Sequence, residues 1–298
     1  MSEHEQMNEI INISLSQKAK AFFQLTKFRL SITVVFSSCF GYALASSNFN
    51  LSTLLVFALA SFLVTASANI INQIKEKELD KLMSRTLNRP LPSEVLSIKE
   101  AAAFSILCGA IGLTILLTQF NVVAFLLSLL SLVLYGFVYT PLKRVGPIAV
   151  AVGALPGAFP PMIGWIAYTG HFGLEPGILF AIQFFWQFPH FWAIAWVLDD
   201  DYKKAGFKLL PSEGGRDLSS AFQIMSYTLF LLPLCMVPYY LGMTGINSGV
   251  IALISGVLFL IQTFHLMKER SNKAALKLMF GSFLYLPVVQ IAYLLDKV

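Results

Sequence analysis

Charge is what this sequence has least of. Only 12% of its 298 residues are Asp, Glu, Lys or Arg, whereas a soluble domain carries roughly a quarter. That shortage excludes an ordinary water-soluble enzyme. Cysteine is nearly missing too. Cys39, Cys108 and Cys235 stand in apolar runs without metal-ligand spacing, which leaves them as packing residues. Nothing resembles a cleaved signal peptide, and Glu3, Glu5 and Glu9 argue against an organellar transit peptide. There is no linker-rich stretch and no second soluble domain. Residues 1–9 are expected to be disordered.

Apolar residues fill the space instead, at 56% of the chain. Runs long enough to cross a bilayer recur along its length. They predict nine spans, at about 30–46, 51–71, 101–118, 122–139, 147–168, 177–198, 221–241, 247–266 and 275–295. The runs are continuous rather than alternating, so they are helices and not barrel strands. The predicted architecture is an all-α polytopic membrane protein. Residues 1–29 form a tail, with an amphipathic helix over 10–29 lying on the inner surface. Residues 30–298 form the nine-helix domain.

The few charges are sorted by side. Of the 21 basic residues, 20 precede span one or follow spans two, four, six and eight, and Lys297 is the exception. The opposite connections SSNFN (46–50) and TQFN (118–121) carry none. The positive-inside rule then predicts a cytoplasmic N-terminus and an outer C-terminus. This bias accounts for the net charge of +5 without any nucleic-acid partner.

The longest polar connections follow spans two and six. The first reads NQIKEKELDKLMSRTLNRPLP (72–92). Asn72, Glu76 and Asp80 stand four apart, which on a helix puts them on one face. Oxygen ligands on one face, with Arg85 and Arg89 close behind, suit a hard cation such as Mg2+ and the phosphates it bridges. A mixed charge run after a span is commonly just a solvated face. Here, however, Asn69 and Asn72 end an apolar run, where an amide is costly without a partner.

The second connection follows PHFW (189–192) and holds Asp199, Asp200 and Asp201, then Lys203 and Lys204. Three adjacent carboxylates repel one another unless a cation is near. Asp200 and Asp201 are candidate partners of the first cluster around metal ions bridging one diphosphate. The lysines suit phosphate binding or the inside rule equally. His190 lies eleven residues before Asp201, three helical turns and about 16 Å deeper. An ionisable side chain in a span is a functional candidate; the alternative is a neutral packing imidazole. Aromatic neighbours at 184–186, 188, 191 and 192 suit a flat macrocycle or a prenyl chain as well as a core. Tyr139 and Lys143 stand four apart in YTPLKR (139–144). The prolines at 147, 156, 160 and 161 kink the next span and permit close packing around a cavity.

Taken together, these motifs resemble the UbiA-type membrane prenyltransferases, and within them the branch that farnesylates heme. The likeness covers nearly the whole chain. Asn72, Glu76 and Asp80 match the superfamily's Asn and two acidic residues; Met83, Arg85-Thr86 and Arg89-Pro90 match the continuation in the heme branch. YTPLKR matches the Tyr-x-x-x-Lys element, and PHFW with DDDYKKAG and LLP matches the second signature. Glu76 replaces a more usual Asp and reaches one methylene further. Phe28 stands where Pro is expected. His190 stands near where relatives acting on small aromatic rings carry a carboxylate.

The resemblance implies a nine-helix bundle around a central cavity in the bacterial inner membrane. It implies Mg2+, farnesyl diphosphate and heme B as cofactor and substrates, heme O and diphosphate as products, and membrane lipid as surroundings. It assigns catalysis to Asn72, Glu76, Asp80 and Lys143, and metal binding to Asn72, Glu76, Asp80, Asp200 and Asp201. Substrate contacts fall to Arg85, Arg89, Tyr139, Arg144, His190 and Lys203. Heme O would pass to heme A synthase or a terminal oxidase. The competing functions are prenylation of a quinone precursor and non-catalytic heme handling or transport. A transporter places its polar sites near the membrane midplane, whereas these carboxylates collect at one face.

Overall fold

A computed structural model of the chain describes residues 14–298, so the expectations for residues 1–9 and for the start of the interfacial helix fall outside it. Among the described residues, nine helices are long and apolar enough to span a membrane. In chain order they are α2 (Phe28–Ala45), α3 (Leu51–Lys75), α5 (Ile98–Phe120), α6 (Val122–Leu142), α7 (Ile148–Thr169), α8 (Leu174–Lys204), α9 (Leu218–Tyr240), α10 (Ile246–Glu269) and α11 (Asn272–Leu295). Two shorter helices complete the set: α1 (Leu15–Leu25) and α4 (Lys77–Asp80). The chain is a multi-pass, all-helical membrane protein, and its β pairing among these residues is a single bridge, Thr244 with Lys297.

Two spans outrun their predicted ends by the most. Helix α3 continues to Lys75, which places Asn72 inside it. Helix α8 continues to Lys204, so the three aspartates occupy its last turns rather than a loop. Ion pairs from Lys203 to Asp199 and from Lys204 to Asp201 hold those turns. Lysines near a helix C-terminus also oppose its negative dipole end, which the aspartates alone would aggravate.

The interfacial helix differs from expectation as well. It stops at Leu25, because Lys27 adopts a left-handed backbone with φ of 47°. One side packs on the bundle, while Leu15 and Phe23 stay exposed. Ala21 and Leu25 are buried against Ile70, Leu91, Leu96 and Ala101. Gln73 Nε2 donates to the Leu25 carbonyl at 2.8 Å and ties α1 to α3.

Helices α2 and α7 meet backbone to backbone. A methyl group at Gly41 would run into the Pro161 carbonyl, and one at Gly164 into the Ser38 carbonyl. Backbones can approach so closely only where side chains are missing. The prolines of α7 leave carbonyls without their helical partners, and side chains of neighbouring helices fill the gaps. Pro161 frees the Gly157 carbonyl, which accepts from Gln183 Nε2 of α8 at 2.8 Å. Pro160 frees the Pro156 carbonyl, which accepts from Ser131 Oγ of α6 at 3.3 Å.

Packing divides into two large cores. One gathers α7 to α11, with Phe40 and Leu44 of α2, around Trp196, Phe259 and Tyr293; the other joins α2, α3, α5, α6 and α7 around Tyr42, Phe57 and Ile166. Outward faces carry exposed apolar residues such as Ile106, Leu258 and Leu284, as a lipid-facing surface requires. Lys297, the exception in the charge pattern, donates to the carbonyls of Ala43 and Ser46 and caps the end of α2.

Candidate functional site

Where α3 ends, the site begins. Glu76 leaves helical geometry (φ −95°, ψ 6°), and α4 restarts the turn at Lys77. The Asp80 amide still donates to the Glu76 carbonyl at 2.7 Å. The four-residue step of Asn72, Glu76 and Asp80 therefore survives the break, though not on one continuous helix. All three side chains are buried, Asp80 completely. A buried carboxylate is stable only with charge and hydrogen-bond partners, and each member has a cation.

Arg89 Nη1 donates to both Asp80 oxygens at 3.0 and 2.8 Å. Lys143 Nζ lies 2.8 Å from Glu76 Oε1. Lys27 Nζ donates to Asn72 Oδ1 at 3.0 Å, and Asn72 Nδ2 donates to Thr140 Oγ1 at 3.1 Å. Glu76 Oε1 is close to Lys143 but makes no aligned hydrogen bond. Burial lowers the Lys27 pKa to about 7, with Arg89 and Lys143 adding to the effect against Glu76 and Asp80. Burial acts the same way on Lys143, but the Glu76 carboxylate more than offsets it and holds that pKa above the ordinary range. Tyr139 is buried with its ring 4.8 Å from Lys143 Nζ.

The second acidic cluster goes elsewhere. Asp199 is its buried member, 2.7 Å from Lys203 Nζ and 3.8 Å from Arg216 Nε. Asp200 is 75% exposed and pairs with Arg216 Nη1 at 2.9 Å; Arg216 is itself anchored to the Trp196 carbonyl. Asp201 accepts from the Ser84 and Arg85 amides at 2.9 and 3.4 Å and pairs with Lys204. Among the described residues, no three His, Cys, Asp or Glu side chains gather as metal ligands. Asp200 and Asp201, expected to share with the first cluster the metal ions that bridge one diphosphate, are engaged by other partners here. Nearby cations and amides occupy their oxygens instead.

The two connections do meet, through Met83 packed on Ala205 and Phe207 and through the Asp201 clasp on Ser84 and Arg85. They form a roof beside the buried carboxylates. Arg85, Arg144 and Lys203 have exposed side chains.

His190 lies deeper on the same unbroken helix as Asp201. Its ring is buried and stacked on Trp186, with centroids 4.4 Å apart and an interplanar angle of 16°. Phe283 meets it edge-on at 4.8 Å. Its Nδ1 is 2.8 Å from Ser282 Oγ of α11.

Three participants escaped the sequence reading. Lys27 was counted with the orientation charges; its place directly before span one, in TKFR, was the available signal. Thr140 lies inside YTPLKR but carries no charge to mark it. Ser282 gives no signal at all, since only the fold brings α11 to His190.

A sequence profile described as the UbiA prenyltransferase family matches residues 34–286. A protein of Cytophaga hutchinsonii named protoheme IX farnesyltransferase is 59% identical over 285 residues, covering 95% of this chain and 100% of that one. A protein of the same name from Flavobacterium psychrophilum is 45% identical, covering 93% and 94%. Among solved structures, a digeranylgeranylglyceryl phosphate synthase superposes with a TM-score of 0.78 at 23% identity, covering 94% and 98%. A UbiA homolog from Archaeoglobus fulgidus, bound to DMAPP and Mg2+, superposes with a TM-score of 0.67 at 17% identity, covering 91% and 98%.

Proposed function

The chain belongs to the UbiA prenyltransferase family, and on that premise we propose that it transfers the farnesyl group of farnesyl diphosphate to a vinyl group of heme B. The products are heme O and diphosphate. The observation that carries the chemistry is the buried row Asn72, Glu76 and Asp80, each met by its own cation.

The row fits Mg2+. All its acceptors are oxygens, as this hard cation requires, and Glu76 Oε1 has no aligned hydrogen bond to give up. Asn72, Glu76 and Asp80 would hold the metal, which supplies charge stabilisation to the diphosphate. Lys27, Lys143 and Arg89 stand beside these oxygens and contact the phosphate oxygens. As the allylic C–O bond breaks, its electron pair leaves with diphosphate, and these cations stabilise the growing negative charge. The apolar bundle below keeps water from the farnesyl cation.

The vinyl carbon–carbon double bond then supplies the electrons for the new C–C bond. Water adds to the resulting cation and loses a proton, which leaves a hydroxyethylfarnesyl side chain. His190, deeper than the carboxylates and among aromatic rings, is the candidate axial contact to heme iron, since a buried imidazole is a common heme ligand. The connections carrying the carboxylates face the cytoplasm of a bacterial inner membrane, and heme O passes on to heme A synthase or a terminal oxidase.

The test is expression in cells unable to make heme O, followed by mass spectrometry of the extracted hemes. A heme carrying a hydroxyethylfarnesyl group is the expected product. A prenylated quinone precursor with unaltered heme B would overturn the acceptor. A heme with a different prenyl length would overturn only the donor.

A further inference from the structure

The contact between His190 and Ser282 fixes more than a position. Ser282 Oγ donates to the Met279 carbonyl at 2.6 Å, one turn back on α11. A hydroxyl has one proton to give. The same oxygen lies 2.8 Å from His190 Nδ1. If Nδ1 were the lone-pair nitrogen, the hydroxyl would have to turn toward it and leave two oxygen lone pairs facing each other at 2.6 Å. The arrangement is satisfied only when Nδ1 carries the proton and donates to Ser282. Nε2 is then the lone-pair nitrogen.

Nε2 has no hydrogen-bond partner among the described residues, and it is not among their sealed, unpartnered polar atoms. The ring cannot rotate freely to another partner. Trp186 covers one face, and the Trp186 indole Nε1 donates to the Ser282 carbonyl at 3.0 Å. Ser282 therefore holds both aromatic rings, one through its side chain and one through its backbone. Ser282 is itself fully buried.

We propose that Ser282 is a positioning residue for the acceptor, fixing His190 as the Nδ1-protonated tautomer so that Nε2 presents its lone pair to the heme iron. The inference rests on His190 being the axial contact. Histidines that ligate metals characteristically donate their other ring N–H to a fixed acceptor, and loss of that acceptor costs about 10–100-fold in metal affinity. Here the hydroxyl plays that part on a substrate's iron.

The experiment is a titration of the purified full-length protein in detergent with ferric heme B, read by absorption spectrum and affinity. Folding is checked by thermal unfolding and by farnesyl diphosphate binding. His190→Ala tests the ligand. Ser282→Ala tests the positioning residue, and Ser282→Cys, close in volume and only a weak acceptor, gives a second variant should alanine disturb folding. His190→Ala should abolish the imidazole-ligated spectrum. Ser282→Ala should weaken heme binding on the order of tenfold or more and shift the spectrum away from wild type, while farnesyl diphosphate binding is kept. Ser282→Cys should lie between the two.

An unchanged spectrum in His190→Ala would remove the axial contact and the inference with it. A changed spectrum in His190→Ala, with wild-type spectrum and affinity in folded Ser282→Ala or Ser282→Cys, would keep the axial contact and overturn the role of Ser282 alone.

Discussion

Arg89 grips Asp80 through one nitrogen, Nη1, which reaches both carboxylate oxygens at 3.0 and 2.8 Å. Asp80 is fully buried, while the Arg89 side chain is 21% exposed. The carboxylate thus depends on the arginine more than the reverse. Asp80→Asn keeps the shape, removes the charge and leaves Arg89 without its counter-ion. Turnover should fall by about 10²–10³-fold, the scale of losing one transition-state electrostatic contact, with the protein still folded in membranes. EDTA should abolish wild-type turnover, and added Mg2+ should restore it. Activity unaffected by both treatments would remove Asp80 and the metal from the chemistry.

Lys27 should behave as a substrate contact and not as an orientation charge. Lys27→Met removes its bond to Asn72 Oδ1 and one cation near the diphosphate. A hydrogen bond to a charged group contributes about 1.5–3 kcal/mol, so KM for farnesyl diphosphate should rise on the order of tenfold or more. Membrane topology should not change, because Lys18, Lys20 and Arg29 remain on the same side. A steady-state titration of farnesyl diphosphate gives the answer, and an unaltered KM would return Lys27 to the charge bias alone.

Glycines 41 and 164 should be intolerant of a single methyl. Gly164→Ala forces α2 and α7 apart at the Ser38 carbonyl. Overpacking of this kind costs about 1–3 kcal/mol, visible as a fall in the unfolding temperature in detergent. Gly177→Ala, where nothing lies within reach of the new methyl, is the control and should unfold with wild type. Equal stability of the two variants would show that the helices can separate at little cost.

Reporter fusions at Asn48, Gln119 and Met243 should all signal the outer side. Each lies in or beside a connection without Lys or Arg, opposite the basic ones. Cytoplasmic signals at any two of them would invert the orientation.

The nine spans were legible because each is a continuous apolar run, and the cost of an unsatisfied backbone in lipid leaves such runs one solution. Their ends were less so. Helix α8 passes its last apolar residue because Lys203 and Lys204 pair backward with aspartates, a gain that hydropathy does not register. At the site, the row Asn72, Glu76 and Asp80 could be read from spacing alone. Its partners Lys27 and Thr140 could not, since they arrive from the turn before α2 and from α6 through tertiary packing. The partners of the second cluster were equally hidden: three adjacent aspartates on a helix must point three ways, and Arg216, from beyond the helix, pairs with the one that faces out.

The bond from Gln183 to the carbonyl released by Pro161 also sets an order on sequence change. While Pro161 is present, losing the glutamine leaves a buried acceptor without a donor, so that substitution is penalised. Once Pro161 is replaced by a residue with an amide proton, the helix serves its own carbonyl, and Gln183 is then held only through Oε1, which accepts from Ser37 Oγ at 2.6 Å and Gln290 Nε2 at 3.2 Å. Descendants of this chain can dispense with a donor at position 183 only by way of the proline, and even then must keep an acceptor there for Ser37 and Gln290.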